Sequence, residues 1–430
     1  MTKAQNFTEG KIFSPIIRFT LPVLLALLLQ ATYGAVDLLI VGQFGGEFSQ
    51  IFVSAVSTGS QIMMTLTVVI TGLAMGLTVY VGEKIGAKKR EEAGEIIGSG
   101  INLFAIVAAI LTLLMVLGAP ALAKIMKAPA LAYRDTVWYV TICSAGMFFI
   151  VAYNLVGSIF RGIGDSKTPL LTVAIACVSN ILGDLLLVAV FGLGAIGAAL
   201  ATVFAQAMSV ILSLIIIKRK SLPFSFSKKH LRLNKKHTKK ILRLGIPIAL
   251  QDLLVSFSFL AILAIVNNLG LTESAGIGVA ERVCAFIMLI PSAFMQSMSA
   301  FVAQNVGAAK FDRVHKGVKQ GSIMAFATSA AITLILLIFG RYLFDIFTDT
   351  QDLIDLAVRM MRVLAVGYIC ISVTQVLGGV MRGAGDTVTP MWISLISTIV
   401  LRVPTAYIMA ALTKNSEYPN GQPISIFTSL

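Results

Sequence analysis

Long apolar segments dominate this sequence and limit the folds that it can adopt. A bilayer core about 30 Å thick needs about 20 mostly apolar residues for each crossing helix. Eleven segments meet that length, near residues 14–41, 52–80, 97–119, 135–159, 169–191, 195–217, 244–269, 276–304, 319–340, 355–380 and 388–412. With 57% hydrophobic and 13% charged residues, the chain has too few polar side chains to cover a soluble globule. We therefore expect an all-α integral membrane protein.

The basic residues indicate how the spans are oriented. The formal net charge is +14, and 25 of the 34 Lys and Arg residues fall on one side of the membrane when the N-terminus is placed in the cytoplasm. Cytoplasmic loops carry such an excess, so we expect a multi-pass protein of a bacterial-type cytoplasmic (inner) membrane with a cytoplasmic N-terminus. The densest basic cluster, Lys218 to Arg243, lacks a folded nucleic-acid reader and suits the headgroups of the lipid bilayer. No nucleic-acid partner is expected.

Two sequence elements occur twice at a constant spacing. FRGIGDSKTP at 160–169 recurs as MRGAGDTVTP at 381–390, and VGEKIGAKK at 81–89 recurs as VAQNVGAAK at 302–310, each 221 residues later. The repeating unit therefore holds six spans, and an even number of spans gives both units the same orientation. Two such bundles facing each other are typical of transporters that open alternately to each side of the membrane.

The repeat divides the chain into three predicted parts. They are an N-terminal six-helix bundle over 1–217, a basic cytoplasmic linker over 218–243, and a C-terminal bundle of about five helices plus a short tail over 244–430. In the repeated RGxGD element, Arg161 and Arg382 are expected to bond helix-end carbonyls or to pair with Asp165 and Asp386. Because both halves carry this element, we interpret it as a structural gate or hinge rather than a substrate ligand.

Two acidic residues lie inside apolar spans of the first half. Asp37 falls in the first span and Asp184 in the fifth, whereas the equivalent positions of the second half are Ile262 and Thr405. An ionisable side chain is costly inside a bilayer, and its presence indicates function. A requirement of the fold would appear in both repeats, so the asymmetry favours function over a local ion pair or a side chain that reaches the interface.

Polar residues near these two carboxyl groups complete a candidate cation-coupling site. Asn180 precedes Asp184 by four residues and Tyr33 precedes Asp37 by four, so each pair shares a helix face. Asn154 and Thr202 lie at a similar depth in neighbouring spans. The site is expected either to hold a carboxyl group protonated, since two nearby buried carboxylates repel each other, or to bind Na⁺. The possible Na⁺ ligands are Asp37, Asn180, Asp184 and Thr202.

A second group of residues is expected to contact or gate the substrate between the bundles. Met side chains adapt to varied ligands, and Pro22 permits a kink that would link cation occupancy to bending of the first span, or be a fixed kink. The candidates are Pro22, Gln30, Gln61, Met63, Met288 and Arg402. Arg402 is expected either to face the cavity or to pair with Glu281 or Asp252.

The repeated motifs suggest a family. The doubled RGxGDxxTP, the VGxxxGA element after the second span with its copy after the eighth, and the six-plus-six layout resemble the multidrug and toxic compound extrusion (MATE) family over about residues 1–412. This resemblance implies a MATE-type fold of two six-helix bundles. The family has twelve helices and this chain eleven predicted spans, so we expect the last helix to be missing or truncated.

The acidic positions are similar to those of the DinF-like branch of the family. In that branch the Asp of helix 1 and the Asn–Asp pair of helix 5 are functional, which implies a cation-coupling role for Tyr33, Asp37, Asn154, Asn180, Asp184 and Thr202. The NorM-like branch has acidic residues where this chain has Val255 and Ser372, so no cation site of that type is expected in the second half. Asp252 is the nearest substitute and is expected to face water.

The favoured interpretation is a secondary antiporter, not an enzyme, that exports lipophilic or cationic drug-like compounds in exchange for Na⁺ or H⁺. We expect a monomer without a cofactor. The alternative is a flippase for a lipid-linked precursor, which predicts a strongly cationic cavity for which only Arg282 and Arg402 are candidates. An integral-membrane enzyme would need a clustered catalytic or metal-binding set, whereas the three His residues lie in basic loops. A channel would differ from a carrier in showing flux that does not saturate.

Overall fold

The computed structural model describes residues 5–220, 222–267, 271–345 and 350–413, and the regular elements in these ranges are helical. The first half contains α1 (Phe13–Phe44), α2 (Ser49–Gly86), α3 (Arg90–Ile125), α4 (Tyr133–Ala145), α5 (Met147–Gly162), α6 (Lys167–Asp184) and α7 (Gly194–Arg219). The second half contains α8 (Lys235–Asn267), α9 (Leu271–Gly307), α10 (Phe311–Asp345), α11 (Gln351–Gly383), α12 (Val388–Ser394) and α13 (Val403–Leu412). π-helical turns extend α6 over Leu185–Val190 and join α12 to α13 over Leu395–Arg402.

The predicted spans are confirmed as helical crossings. Among the described residues, ten helical stretches are long and apolar enough to cross a bilayer, and α4 with α5 forms an eleventh crossing that bends by 53°. The bend falls at Gly146, where a Cβ would lie 2.5 Å from the Val203 side chain on α7. Helix α8 starts at Lys235 rather than near the predicted residue 244, because the polar, Lys-rich stretch before the apolar segment is itself compatible with a helix.

Helix α1 contacts the apolar cores of both halves. Its first turns, at Ile16 and Phe19, pack in a core with Phe301 of α9. Its later turns, at Ile40 and Val41, pack in the core of the first half. The start of the chain therefore packs with the second half, although the sequence assigns it to the first bundle.

The two halves meet at the end of the bundle where most loops are basic, which we call the basic end. It carries the residues before α1 and the connections α2–α3, α5–α6, α7–α8, α9–α10 and α11–α12. The side-chain amide of Gln304 donates to the carbonyl of Gly162 at 2.9 Å, and the backbone N–H of Gln5 donates to the carbonyl of Gly164 at 2.9 Å. Asn305 donates to the carbonyl of Phe7 at 3.1 Å. The bond from Gln304 joins the halves directly, and the other two connect them through the segment before α1.

Two glycines permit a close backbone approach between the halves at the basic end. A Cβ on Gly86 would overlap the carbonyl oxygen of Gln304, and a Cβ on Gly307 would overlap the carbonyl oxygen of Glu83. Gly307 is the repeat equivalent of Gly86, and Gln304 that of Glu83, in each case 221 residues later. Each repeat therefore makes the same glycine-to-carbonyl contact with the other repeat.

The basic linker is docked on the first half. The N–H of Ser225 donates to the carbonyl of Arg90 at 3.3 Å, and the hydroxyl of Ser99 donates to the carbonyl of Arg232 at 3.2 Å. Where the linker leads into α8, Lys240 forms a salt bridge with Glu83 of α2 at 2.8 Å. The linker thus follows the start of α3 before the chain enters the second half.

Candidate functional site

The two carboxyl groups inside the membrane spans come together in the first half. Asp37 lies in α1, and Asp184 is the last residue of α6 before the helix widens into π-helical turns. Their side chains face each other, and Asn180, one turn before Asp184, also lies against Asp37. All three residues are buried, Asp184 completely. π-helical turns are frequent at functional sites, and this one begins directly after a buried carboxyl group.

Helix α7 adds neutral polar groups to this cluster. It approaches α6 closely, since a Cβ on Gly183 would lie 3.0 Å from the Cβ of Ala201. The next residue of α7, Thr202, lies beside Tyr139 of α4. One turn later, Gln206 lies beside Tyr33 of α1. The close contact between α6 and α7 therefore places hydroxyl and amide groups around the two carboxyl groups.

The cluster concentrates buried polar atoms that lack hydrogen-bond partners in the described structure. They are Oδ1 of Asp37, both carboxyl oxygens of Asp184, Oδ1 and Nδ2 of Asn180, Oγ1 of Thr202 and Oε1 of Gln206. Half of all such atoms in the described ranges belong to these five residues. Buried polar atoms are normally hydrogen bonded, so their concentration here indicates a site that a ligand completes.

The chemistry of these atoms fits a small cation. Carboxyl, amide and hydroxyl oxygens are the ligands that hard cations prefer. A proton on one of the two carboxyl groups would also relieve their mutual repulsion. Within the described residues, neither Asp37 nor Asp184 has a basic side chain among its neighbours, so a fixed ion pair does not account for them.

Asn154 lies away from this network, although the sequence assigns it to the site. It is on α5, where its Oδ1 accepts a hydrogen bond from Thr71 of α2 at 3.0 Å and its Nδ2 donates to the carbonyl of Ile150 at 2.9 Å. No described hydrogen bond joins it to either carboxyl group. Asn154 lies at a depth similar to that of the other candidates, but depth does not predict which helix a side chain faces. Its side chain points from α5 towards α2.

The residues expected to gate the substrate occupy different places. Pro22 is buried inside α1, which continues as one helix through it. Gln30, two turns further along α1, donates to the hydroxyl of Tyr153 on α5. Gln61 is exposed on α2, whereas Met63 is buried in the first-half core beside Ser144. The expectation that Met63 lines a cavity is therefore corrected.

In the described part of the second half, Asp252, the nearest substitute for a second cation-site residue, forms an ion pair. Arg382 of α11, 3% exposed, contacts Asp252 of α8 at 3.2 Å and donates to Gln251 at 2.8 Å. Asp252 therefore does not simply face water. Ser372 is buried and bonded to the hydroxyl of Ser329. The guanidinium of Arg382 therefore supplies the positive charge that balances the carboxylate of Asp252.

The expected pairing inside the RGxGD elements is not observed. Arg382 pairs with Asp252 instead of Asp386, whose carboxylate accepts from the N–H of Thr389 at 3.0 Å. Hydrogen bonds from Thr389 hold the pKa of Asp386 below its usual range. In the first element, Asp165 pairs with Lys220 rather than Arg161. Both Asp side chains instead accept bonds from the start of the following helix, which is the usual role of Asp there.

The remaining candidates lie in the second half. The guanidinium of Arg402, at the end of the π-helical turns, stacks over the ring of Phe259 at 4.3 Å. Met288 is half-buried against the second-half core. The side chains of Glu281 and Arg282 lie outside the described residues, and the ion pair of Asp252 is made by Arg382.

Two residues of the cluster are absent from the sequence-based set. Gln206 follows Thr202 by four residues and so shares its helix face, a signal that could have identified it. Tyr139 is adjacent to the cluster only because α4 packs on α7. Its position in the sequence gives no comparable signal.

Together, the repeated helical halves, the membrane spans and the unpartnered intramembrane polar cluster define a polytopic membrane transporter. The MatE family model matches residues 22–186 and 247–408. The chain therefore belongs to the MATE transporter family, whose members are not enzymes.

Known proteins similar to the chain span nearly its whole length. The probable multidrug resistance protein YpnP of Bacillus subtilis is 29% identical over 95% of this chain and 91% of its own length. YoeA, a probable multidrug resistance protein of the same organism, is 25% identical over 95% of this chain and 89% of its own. An outward-facing multidrug resistance MATE transporter of the MOP superfamily matches with a TM-score of 0.89 at 21% identity, covering 100% of this chain and 94% of the solved chain. That last match shows the shared fold.

Proposed function

We propose that this protein is a secondary multidrug antiporter that exports lipophilic or cationic compounds in exchange for Na⁺ or H⁺. The observation that carries this proposal is the buried cluster of polar atoms around Asp37 and Asp184 that lack partners in the described structure. A fixed structural role would satisfy such atoms within the protein. A cation that binds and leaves in each transport cycle satisfies them only in part of that cycle.

Cation binding would act on α1. Asp37 faces Asp184 and Asn180 across the contact between α1 and α6. With no cation bound, two ionised carboxylates at this place repel each other, and one cation or proton removes that repulsion. Occupancy therefore changes the force between α1 and α6, and a ligand shifts a conformational equilibrium by its difference in affinity for the two states.

Helix α1 also offers a route from the cation to the interface between the halves. Phe19 and Val23, on either side of Pro22, pack with the second half, whereas Asp37 and Val41 pack in the first. Pro22 removes one backbone hydrogen bond of the helix and makes bending easier at that point. A displacement at Asp37 would thus be transmitted along α1 to its contact with α9.

We further propose that the basic end faces the cytoplasm and that this structure is the outward-facing state. The basic residues favour that orientation, and the halves are joined at the basic end by Gln304, Asn305 and the glycine contacts of Gly86 and Gly307. Inward opening would require these contacts to separate. The protein would act as a monomer in a bacterial cytoplasmic membrane, with its cation site most similar to the DinF-like branch.

Transport by the purified protein tests this function and identifies the ion. The full chain is reconstituted in proteoliposomes with a fluorescent lipophilic cation at equal concentration inside and outside, and a Na⁺ gradient or a proton gradient is imposed alone. One gradient is expected to drive saturable, uphill movement of the dye. Uphill movement with neither gradient, or only downhill and non-saturating flux, would contradict the proposal.

A further inference from the structure

A basic cavity lies at the junction between the start of α1 and the start of α10. Its volume is about 440 Å³, and its lining includes Lys11, Phe13, Arg313, Lys316 and Gln320. The cavity is at the basic end, and on α1 its residue Phe13 precedes Asp37 of the cation cluster by 24 residues. It joins the N-terminal segment to a helix of the second half.

The positive charges of this cavity have no carboxylate partner in the described structure. Arg313 donates to the backbone carbonyls of Gly10, Phe7 and Glu9 at 2.8, 3.0 and 3.3 Å, and to Oδ1 of Asn305 at 3.3 Å. Its acceptors are therefore all neutral oxygens. The side chains of Lys11 and Lys316 are exposed.

Nearby acidic residues do not line the cavity. The carboxylate of Glu9 accepts a hydrogen bond from Asn6 at 3.1 Å. Asp312 is exposed beside Phe311 and Lys310, on a neighbouring surface. The lining thus presents three cationic side chains and no carboxylate, which favours an anionic ligand.

An apolar stripe continues from the cavity along α10. Ile323 and Ala327 follow Lys316 by 7 and 11 residues, a spacing that keeps them on one helix face and within about 17 Å of Lys316 along the helix. Both are exposed, and Ile323 is 57% accessible. Phe13, at the start of α1, is 56% exposed beside the cavity. A ligand that suits both features has an anionic head and a long apolar tail.

We propose that this cavity and stripe bind one anionic phospholipid of the membrane leaflet at the basic end. Lys11, Arg313 and Lys316 surround its phosphate, and an acyl chain lies along the exposed face of α10. Basic pockets between membrane helices bind lipid headgroups in this way. The bound lipid would connect the segment before α1 to α10. The proposal does not depend on which ion drives transport, only on the basic end lying at a membrane surface.

Native mass spectrometry of the delipidated full-length protein tests this site. Phosphatidylglycerol is titrated against phosphatidylcholine of the same chain length, in the wild type and in a Lys11→Gln/Lys316→Gln variant. Arg313 is left unchanged because it holds the N-terminal segment. The matched control is Lys88→Gln/Lys167→Gln, which removes two exposed charges from the first half at the same end.

We expect the first phosphatidylglycerol to bind about 30-fold more weakly to the Lys11→Gln/Lys316→Gln variant, the effect of two basic side chains near a lipid surface. The control variant should bind it as the wild type does. Equal binding by wild type and the Lys11→Gln/Lys316→Gln variant, or equal binding of the two lipids to the wild type, would overturn the proposal.

Two further arms test the roles of the tail and of the fold. Ile323→Ser should weaken phosphatidylglycerol binding, whereas glycerophosphoglycerol, the headgroup without acyl chains, should fail to displace the lipid at equal concentration. Displacement by that compound or by inorganic phosphate would identify a soluble-anion site instead and refute the lipid. Unchanged thermal unfolding of the delipidated variants shows that a loss of binding is not a loss of fold.

Discussion

Asp37 of α1 and Asp184 of α6 face each other in the buried interior of the first half, with no basic neighbour among the described residues. In the described part of the second half, the carboxyl group of Asp252 is instead paired with Arg382 at 3.2 Å. We therefore expect substitution of these carboxyl groups to have different effects in the two halves. Substitutions in the first half should change the cation dependence of transport. Substitutions in the second half should mainly lower the free energy of unfolding.

Neutral oxygens of the cluster should distinguish Na⁺ from H⁺. Thr202→Val and Gln206→Leu each remove a buried oxygen without a described hydrogen-bond partner. If Na⁺ drives transport, each change should raise the Na⁺ concentration for half-maximal efflux about tenfold, because one ligand to a hard cation is lost.

If H⁺ drives transport, the same variants should retain the pH dependence of the wild type, because a proton resides on a carboxyl group. Thr71→Val, which alters a hydroxyl bonded to Asn154 at 3.0 Å, is the matched control. Complete loss of proton-driven efflux in Thr202→Val would contradict this account of the cluster.

Asn154 should affect stability rather than cation dependence. Asn154→Ala removes the acceptor of the Thr71 hydroxyl and should lower the free energy of unfolding by about 1 kcal/mol. The half-saturating cation concentration should stay within twofold of the wild type. Thermal unfolding and cation titration of efflux measure the two effects separately, and a tenfold change in cation dependence would place Asn154 in the site after all.

The sequence is informative about spans and repeats because both depend on local or periodic patterns. Apolar length identifies the crossings, and the recurrence of RGxGD identifies the two halves. Helical spacing also predicts that Asn180 and Asp184 share a face, and both side chains meet Asp37.

Contacts between distant segments are harder to predict. Tyr139 lies in the cluster because α4 packs on α7. Arg382 pairs with Asp252, 130 residues away in the sequence, rather than with the nearby Asp386. Asn154 has a suitable depth but points towards α2. The direction of a side chain within a bundle depends on helix rotation, which depth alone does not determine.

The pair formed by Asp252 and Arg382 should stabilise the second half. Asp252→Asn leaves a nearly buried guanidinium without its carboxylate, and should lower the free energy of unfolding by about 2 kcal/mol, since Asp252 is partly exposed. Replacing both residues, as Asp252→Leu/Arg382→Met, should recover part of that loss. Thermal unfolding of Asp252→Leu, Arg382→Met and the double variant gives the coupling energy. Purely additive losses would show that the pair is not coupled.

The paired glycines should control closure of the basic end. Gly86→Ala or Gly307→Ala would place a methyl group on the backbone carbonyl of the opposite half and separate the halves there. We expect at least a tenfold lower efflux rate, with each half still folded. Spin labels at the repeat-equivalent residues Lys89 and Lys310, in a background without other cysteines, should report a smaller short-distance population.

Gly367→Ala is the control for closure, because a Cβ there meets nothing within 4 Å. It should leave both the distance distribution and the efflux rate unchanged. A wild-type distance distribution in Gly86→Ala would show that the contact does not set closure.

The most direct test of cation coupling compares Asp37→Asn and Asp184→Asn with Asp252→Asn in the same proteoliposomes. Initial rates of dye efflux are measured with and without the driving cation gradient, after equal insertion is established for each variant. We predict that the gradient no longer accelerates efflux in either first-half variant, while Asp252→Asn retains the gradient dependence of the wild type. Full gradient-driven efflux in both Asp37→Asn and Asp184→Asn would contradict the central claim.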